Sequence, residues 1–135
     1  MSFAKRNLKV LMMVVALLAM LACAPGASDF TGSYSLGTPS PSGQNVQINI
    51  SLSLVNNTSS SIRNATITLH DPNAARVTYG ELNGISLPAN TQADVNGVFT
   101  VPQSLYEAWQ TGSAPAISVA YTNTRGKQVR TFIEF

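Results

Sequence analysis

One cysteine, one histidine and one tryptophan are all that 135 residues hold of those types, and charged side chains make up only 10%. Each scarcity closes off a chemistry. A zinc site draws on several cysteines or histidines, and Cys23 with His70 does not supply them. Without a second cysteine no intramolecular disulfide forms, so a folded domain must rest on its apolar core. Asp71 follows His70, but a serine-type triad needs a nucleophile oriented by both, and no G-x-S-x-G elbow occurs in the chain. His70 therefore reads as a solvent-facing residue at a strand end beside a turn. The segment "DVNG", Asp94 to Gly97, copies part of a calcium loop, lacks the other oxygen donors and falls within an alternating strand. The expectation is a protein that is not an enzyme and uses neither a cofactor nor a metal.

What is present begins with an export signal. Lys5, Arg6 and Lys9 precede Val10 to Ala22, thirteen residues without a charged or strongly polar side chain, the n-region and h-region of a secretory signal. A bilayer-spanning helix wants about 20 apolar residues, so this run is short for a permanent anchor. At its end, "AMLAC" resembles the lipobox of bacterial lipoproteins, with apolar Met20 and Leu21, small Ala22 and then Cys23. The resemblance implies that Cys23 is lipidated on sulfur, becomes the first residue of the mature chain and gains an acyl group on its amine. Two or more acyl chains make dissociation from a membrane very slow, which would make Cys23 an anchor. Ala22-Cys23-Ala24 is also an A-x-A site, where cutting after Ala24 would discard the cysteine. Ala24 after the cysteine resembles the signal for sorting to the outer membrane, in a cell that has one.

Removing residues 1–22 takes three cations with it. Arg63, Arg76, Arg125, Lys127 and Arg130 then face six acidic side chains, a balance of about −1, so the basic character of the whole chain belongs to the signal. No clustered stripe of Lys and Arg with interleaved aromatics remains, which argues against nucleic acid.

From Cys23 to Gly43 the composition is that of a tether, rich in Ala, Gly, Ser, Thr and Pro. If flexible throughout, it reaches about 25 Å root-mean-square. Phe30, Tyr34 and Leu36 interrupt it at even spacing, as a short first strand docking back would.

Beyond it, period two dominates. In "VQINISLSL", Val46, Ile48, Ile50, Leu52 and Leu54 alternate with polar residues, which predicts a long strand with one buried face. Ala65, Ile67 and Leu69 mark another, broken by "DPN" at Asp71–Asn73. A weaker strand is expected at 76–79, and a long one through Ala93, Val95, Gly97, Phe99 and Val101, closed by Pro102. "SLYEAWQTG" is the one plausible helix, with Ser104 as cap and Gly112 as stop. The chain ends as a hairpin: Ile117, Val119 and Tyr121 alternate, "NTRGK" turns, and Val129, Thr131, Ile133 and Phe135 alternate again. Short strands, polar turns and no long helix predict an all-β fold, an antiparallel immunoglobulin-like β-sandwich. The expected organisation is a signal peptide over 1–22, lipidated cysteine and flexible tether over 23–43, and the sandwich over 44–135.

"LSLVNNTSSSIRNATITL" and "ISLPANTQADVNGVFTVP" together resemble bacterial immunoglobulin-like modules of the cell-adhesion-related, CARDB-like type, over about Val46 to Pro102. The resemblance implies a spacer, an adhesive unit or an accessory subunit. A single module on a lipid anchor suits a spacer least.

Four N-x-[ST] triplets begin at Asn49, Asn56, Asn57 and Asn64; they read as the amide and hydroxyl richness of strand and turn surfaces. Tyr79, Tyr106, Trp109 and Tyr121 are the aromatic candidates for recognition. Trp109 and Leu105, four apart on the helix, equally suit a plug at one end of the sandwich. Arg125, Lys127 and Arg130 in the last hairpin either solubilise its turn and edge or offer a small positive contact to an acidic partner. The expected protein is a non-enzymatic, lipid-anchored lipoprotein of the cell envelope, at the outer membrane facing the periplasm or the cell surface. It would bind a protein as accessory or assembly subunit, with Tyr106, Trp109, Arg125, Lys127 and Arg130 as the interaction candidates. A glycan is the alternative partner.

Overall fold

Strict alternation makes β3 (Asn45–Asn56) the centre of the fold. Val46, Ile48, Ile50, Leu52 and Leu54 all point inward and are buried, and polar side chains cover the other face from Asn45 to Ser53. The computed structural model that shows this describes residues 28–135. Cys23, the expected signal segment and the first residues of the expected tether lie outside that range.

On one side β3 pairs with β1 (Phe30–Leu36) over its second half and with β2 (Ser40–Ser42) over its first residues. On the other it pairs with β6 (Gln92–Pro102), from Asn45↔Pro102 to Val55↔Gln92 without a register shift. The second sheet runs in the order β5 (Thr78–Leu87), β4 (Ile62–His70), β7 (Ala116–Thr122), β8 (Gln128–Phe132). Every ladder in both sheets is antiparallel. The inner faces join one core, in which Phe30, Ile67, Leu69, Leu87, Phe99, Val101, Ile117 and Val119 meet the β3 row. The fold is an all-β, antiparallel β-sandwich.

The folded unit starts earlier than the composition suggests. Its boundary lies near Phe30 and not at residue 44, because the Ser- and Gly-rich stretch after Asp29 is an edge strand. Phe30 is fully buried and pairs with Asn56, while the serines of β1 face solvent. Gly32 is part of the pairing, since a Cβ there would run into the Ser53 carbonyl oxygen. Hydroxyls on an outer strand face and hydroxyls in a tether look alike in composition.

Two other elements differ from expectation. The weak strand at 76–79 is instead the ten-residue β5, whose alternation is hidden by register shifts against β4 between Ile62 and Ala65, Ala65 and Ile67, and Leu69 and His70. The helix α1 (Gln103–Gln110) is capped by Pro102 and not by Ser104. Proline lacks a side-chain acceptor, and the Gln44 carbonyl takes the Gln103 N–H instead, at 3.3 Å. Gly112 stops the helix as expected. Its φ of +113° turns the chain so that the Ser113 N–H closes on the Ala108 carbonyl at 3.1 Å.

The antiparallel registers give the sandwich two poles. The N-terminal pole gathers Phe30 with the 57–61, 88–91 and 123–127 connections. The far pole gathers the 71–77 loop, α1 and the start of β7.

Candidate functional site

At the far pole the β4–β5 loop and α1 face each other across a half-open cleft of about 370 Å³. Asp71, Pro72 and Asn73 form one wall. Ser104, Leu105, Ala108 and Trp109 form the other, with Tyr79 and Pro102 between them. The loop wall is built by Asp71, whose Oδ1 accepts the Asn73 N–H at 2.9 Å and whose Oδ2 accepts the Tyr79 hydroxyl at 2.6 Å. The Tyr79 bond, then the Asn73 bond, holds the Asp71 carboxyl below its ordinary range. The same bond raises Tyr79, with a smaller push from burial and from the Asp71 charge. Cleft and loop are thus fixed by a charge-assisted hydrogen bond.

The helix wall is held from beneath. Leu105 and Trp109, one turn apart, are its two buried residues, and Trp109 is only 5% exposed. Trp109 plugs the end of the sandwich and leaves little of its surface to the cleft. Tyr106, half-buried against the core, is not part of the cleft lining.

His70 corrects the sequence reading. It lies on the outer face of the second sheet, as its alternation implies, but it is 1% exposed. The β4–β5 loop folds over it, and the Phe132 ring packs against it with centroids 5.1 Å apart. Nδ1 lies 2.6 Å from the Ala75 carbonyl, which can only accept, so Nδ1 carries the proton. In the neutral imidazole Nε2 then accepts from the Ser118 hydroxyl, also at 2.6 Å. A serine, a base and an orienting acceptor are therefore in line. Ser118 is fully buried within β7, however, and no substrate atom reaches Oγ in this arrangement. The pair works as a clasp that fastens the cleft's loop wall to the sheet. No local pattern announces the pair, since Ser118 lies 48 residues from His70.

Asn56 also differs from expectation, being buried at 1% exposure. Its Nδ2 donates to the Ser60 and Leu87 carbonyls at 2.8 and 2.9 Å, and its Oδ1 accepts from the Thr58 N–H and hydroxyl at 3.0 and 2.6 Å. The triplet at this position shapes the β3–β4 turn.

The sequence candidates do not converge. Trp109 and Tyr106 belong to the far pole. Arg125 and Lys127 sit in the β7–β8 turn at the N-terminal pole, and Arg130 is exposed on β8 opposite Ala120. Cys23 lies outside the described residues. Asp71, Ser104 and Ala108 were missed as cleft residues, although the "DPN" break and the expected helix start at Ser104 lie beside the cleft. Asp94 accepts from the Ser53 hydroxyl at 2.8 Å and from Gln92 at 3.2 Å, and these two bonds lower its carboxyl. Among the described residues no group of three or more His, Cys, Asp or Glu side chains could hold a metal ion. No described helix is long and apolar enough to cross a membrane.

No known family model matches the chain, and no curated protein matches it. Among solved structures it is similar to Northeast Structural Genomics Consortium target SoR45, at 10% identity and a TM-score of 0.43, covering 78% of this chain and 82% of that one. It is also similar to a protein from Archaeoglobus fulgidus, at 13% identity and a TM-score of 0.36, covering 77% of this chain and 96% of that one.

Proposed function

We propose that this chain is a non-enzymatic lipoprotein of the bacterial cell envelope, held by lipid on Cys23, whose sandwich engages a partner protein through the far-pole cleft. One observation carries the reading: the chain enters at one pole, and a cleft walled by the Asp71–Tyr79 hydrogen bond and α1 lies at the other. Ser28 and Asp29 are bonded to Asn57 at the N-terminal pole. A lipid on Cys23 would leave the cleft turned away from the membrane. The cleft mixes prolines, small residues and two aromatic side chains with a carboxylate and hydroxyls, a lining suited to a short protein segment.

Sugar binding draws on two or three aromatic faces open on one surface. Here Tyr79 and Trp109 are the aromatic residues lining the cleft, and Trp109 is nearly buried. A protein partner fits this geometry better.

The test is site-specific photocrosslinking of the lipidated full-length protein in its own membrane. A crosslinker at Ser104 or Asn73 is expected to trap one protein, identified by mass spectrometry. The same group at Asn96, on the outer face of the first sheet, is expected to trap none. Equal labelling from all three positions, or capture of glycan alone, would defeat the protein-binding reading.

A further inference from the structure

We propose that the N-terminal pole rests on the anionic phospholipid surface that holds Cys23, with Arg125 and Lys127 as its electrostatic contact. This rests on the lipoprotein reading above and adds an orientation to it.

The first support is reach. The Asn57 N–H bonds the Asp29 carbonyl at 2.8 Å, and Asn57 Nδ2 bonds the Ser28 carbonyl at 3.1 Å. Chain entry is thereby fixed beside the β3–β4 turn. Five residue steps separate Cys23 from Ser28. In any conformation they span at most about 18 Å, less than the roughly 25 Å root-mean-square reach of a 22-residue flexible tether. The long axis of the sandwich, set by the twelve residues of β3, is about 40 Å. The N-terminal pole is the end that such a short link keeps at the headgroups.

The second support is charge. Arg125 and Lys127 are exposed in the turn at this pole. The turn is rigid, because Asn123 Oδ1 accepts the N–H groups of both Arg125 and Lys127, at 3.0 and 2.9 Å. The Asn123 N–H closes it on the Lys127 carbonyl at 2.9 Å. Arg63, beside the first residue of β4, and Arg130 on β8 extend the positive ground on the second sheet's side. Of the acids in this half, Asp29, Asp94 and Glu134 belong to the first sheet or its bridged edge. The far half holds Asp71, Glu81 and Glu107 against Arg76. On the side chains of the described residues, the half at the chain entry balances near +1, four cations against three acids that include Asp29 at the entry itself, and the far half near −2. Attraction to an anionic leaflet fades within a Debye length of about 10 Å at 0.1 M salt, a distance that the short link allows the turn to close.

The experiment uses the full-length lipidated chain carrying Thr124→Cys, labelled with an environment-sensitive fluorophore. It is reconstituted in vesicles of phosphatidylglycerol with phosphatidylethanolamine, or of phosphatidylcholine alone. A rise of about twofold in emission is expected in the anionic vesicles, where cations near the surface are drawn in. The rise should vanish with Arg125→Glu plus Lys127→Glu, or in high salt, at an unchanged melting temperature. Arg125→Lys plus Lys127→Arg should keep it. A label at Asn73→Cys should not respond. Equal emission from Thr124→Cys in both vesicles, an equal response at Asn73→Cys, or a response that needs an added acidic protein would overturn the orientation. Intact mass separates the two layers: a preparation without lipid removes the lipoprotein reading, whereas a lipidated but silent probe removes only the orientation.

Discussion

The two sheets of this sandwich are built on different terms. The first is organised by one uninterrupted strand. β3 meets β6 across eleven residue pairs without a shift, and its inner face is wholly apolar up to Leu54. The second is irregular: β4 and β5 slip register three times, and its outer face buries Thr68, His70 and Ser118. The regular sheet supplies stability through burial. The irregular one carries the loop wall of the cleft, while the helix wall follows β6 of the regular one. Bulges that break a ladder are the usual means of re-aiming side chains near a site.

The sharpest way to break this contrast is to charge the regular sheet from within. Ile50 is fully buried. Ile50→Asp is expected to unfold the domain, since an unpaired buried carboxylate costs several kcal/mol of the roughly 5–15 kcal/mol a small domain has. Ser51→Asp, on the opposite face, is expected to stay folded, as circular dichroism melts will check. Equal melts for the two would mean that the register is wrong.

A smaller effect is expected in the irregular sheet. Ser118→Ala removes the donor to His70 Nε2 at a fully buried position and should cost about 1–3 kcal/mol in urea titration. Ser33→Ala, an exposed serine of β1, should stay within about 0.5 kcal/mol. Similar losses for both would show that the clasp does not hold the loop.

The same contrast explains what could be read in advance. β3, β6 and the final hairpin were legible because a two-residue period survives wherever one face is wet and no bulge intervenes. β5 was not, because each shift moves the apolar residue to a new parity and its two glycines interrupt the pattern. β1 was half legible: Phe30, Tyr34 and Leu36 kept the period, while Ser33, Ser35 and Gly32 imitated a linker. The cleft was nearly invisible. It joins Asp71 to Trp109 through the fold, and its loop is fastened by a histidine whose partner lies far along the chain.

The smallest predicted effect is a pH dependence of the loop. Asp71 is held below its ordinary value of 3.8 in the folded state, chiefly by Tyr79. Its contribution is therefore present above about pH 4 and lost as pH falls through the lowered value. Tyr79 is raised above 10.0. Its contribution is full below about pH 10 and lost as pH rises through the raised value. Tyr79→Phe should flatten both limbs of a melting temperature against pH curve. An unchanged curve would mean that the bond does not steady the cleft.

The two-pole account depends above all on where the mature chain begins and what it carries there. Intact-mass spectrometry of the protein recovered from its own membrane tests that directly. The account predicts a chain starting at Cys23 with a diacylglyceryl group on sulfur and an acyl group on the amine, and Cys23→Ser protein released from the membrane fraction. An unmodified mature chain starting at Pro25 would contradict it, because the sandwich would then have no anchor to orient it.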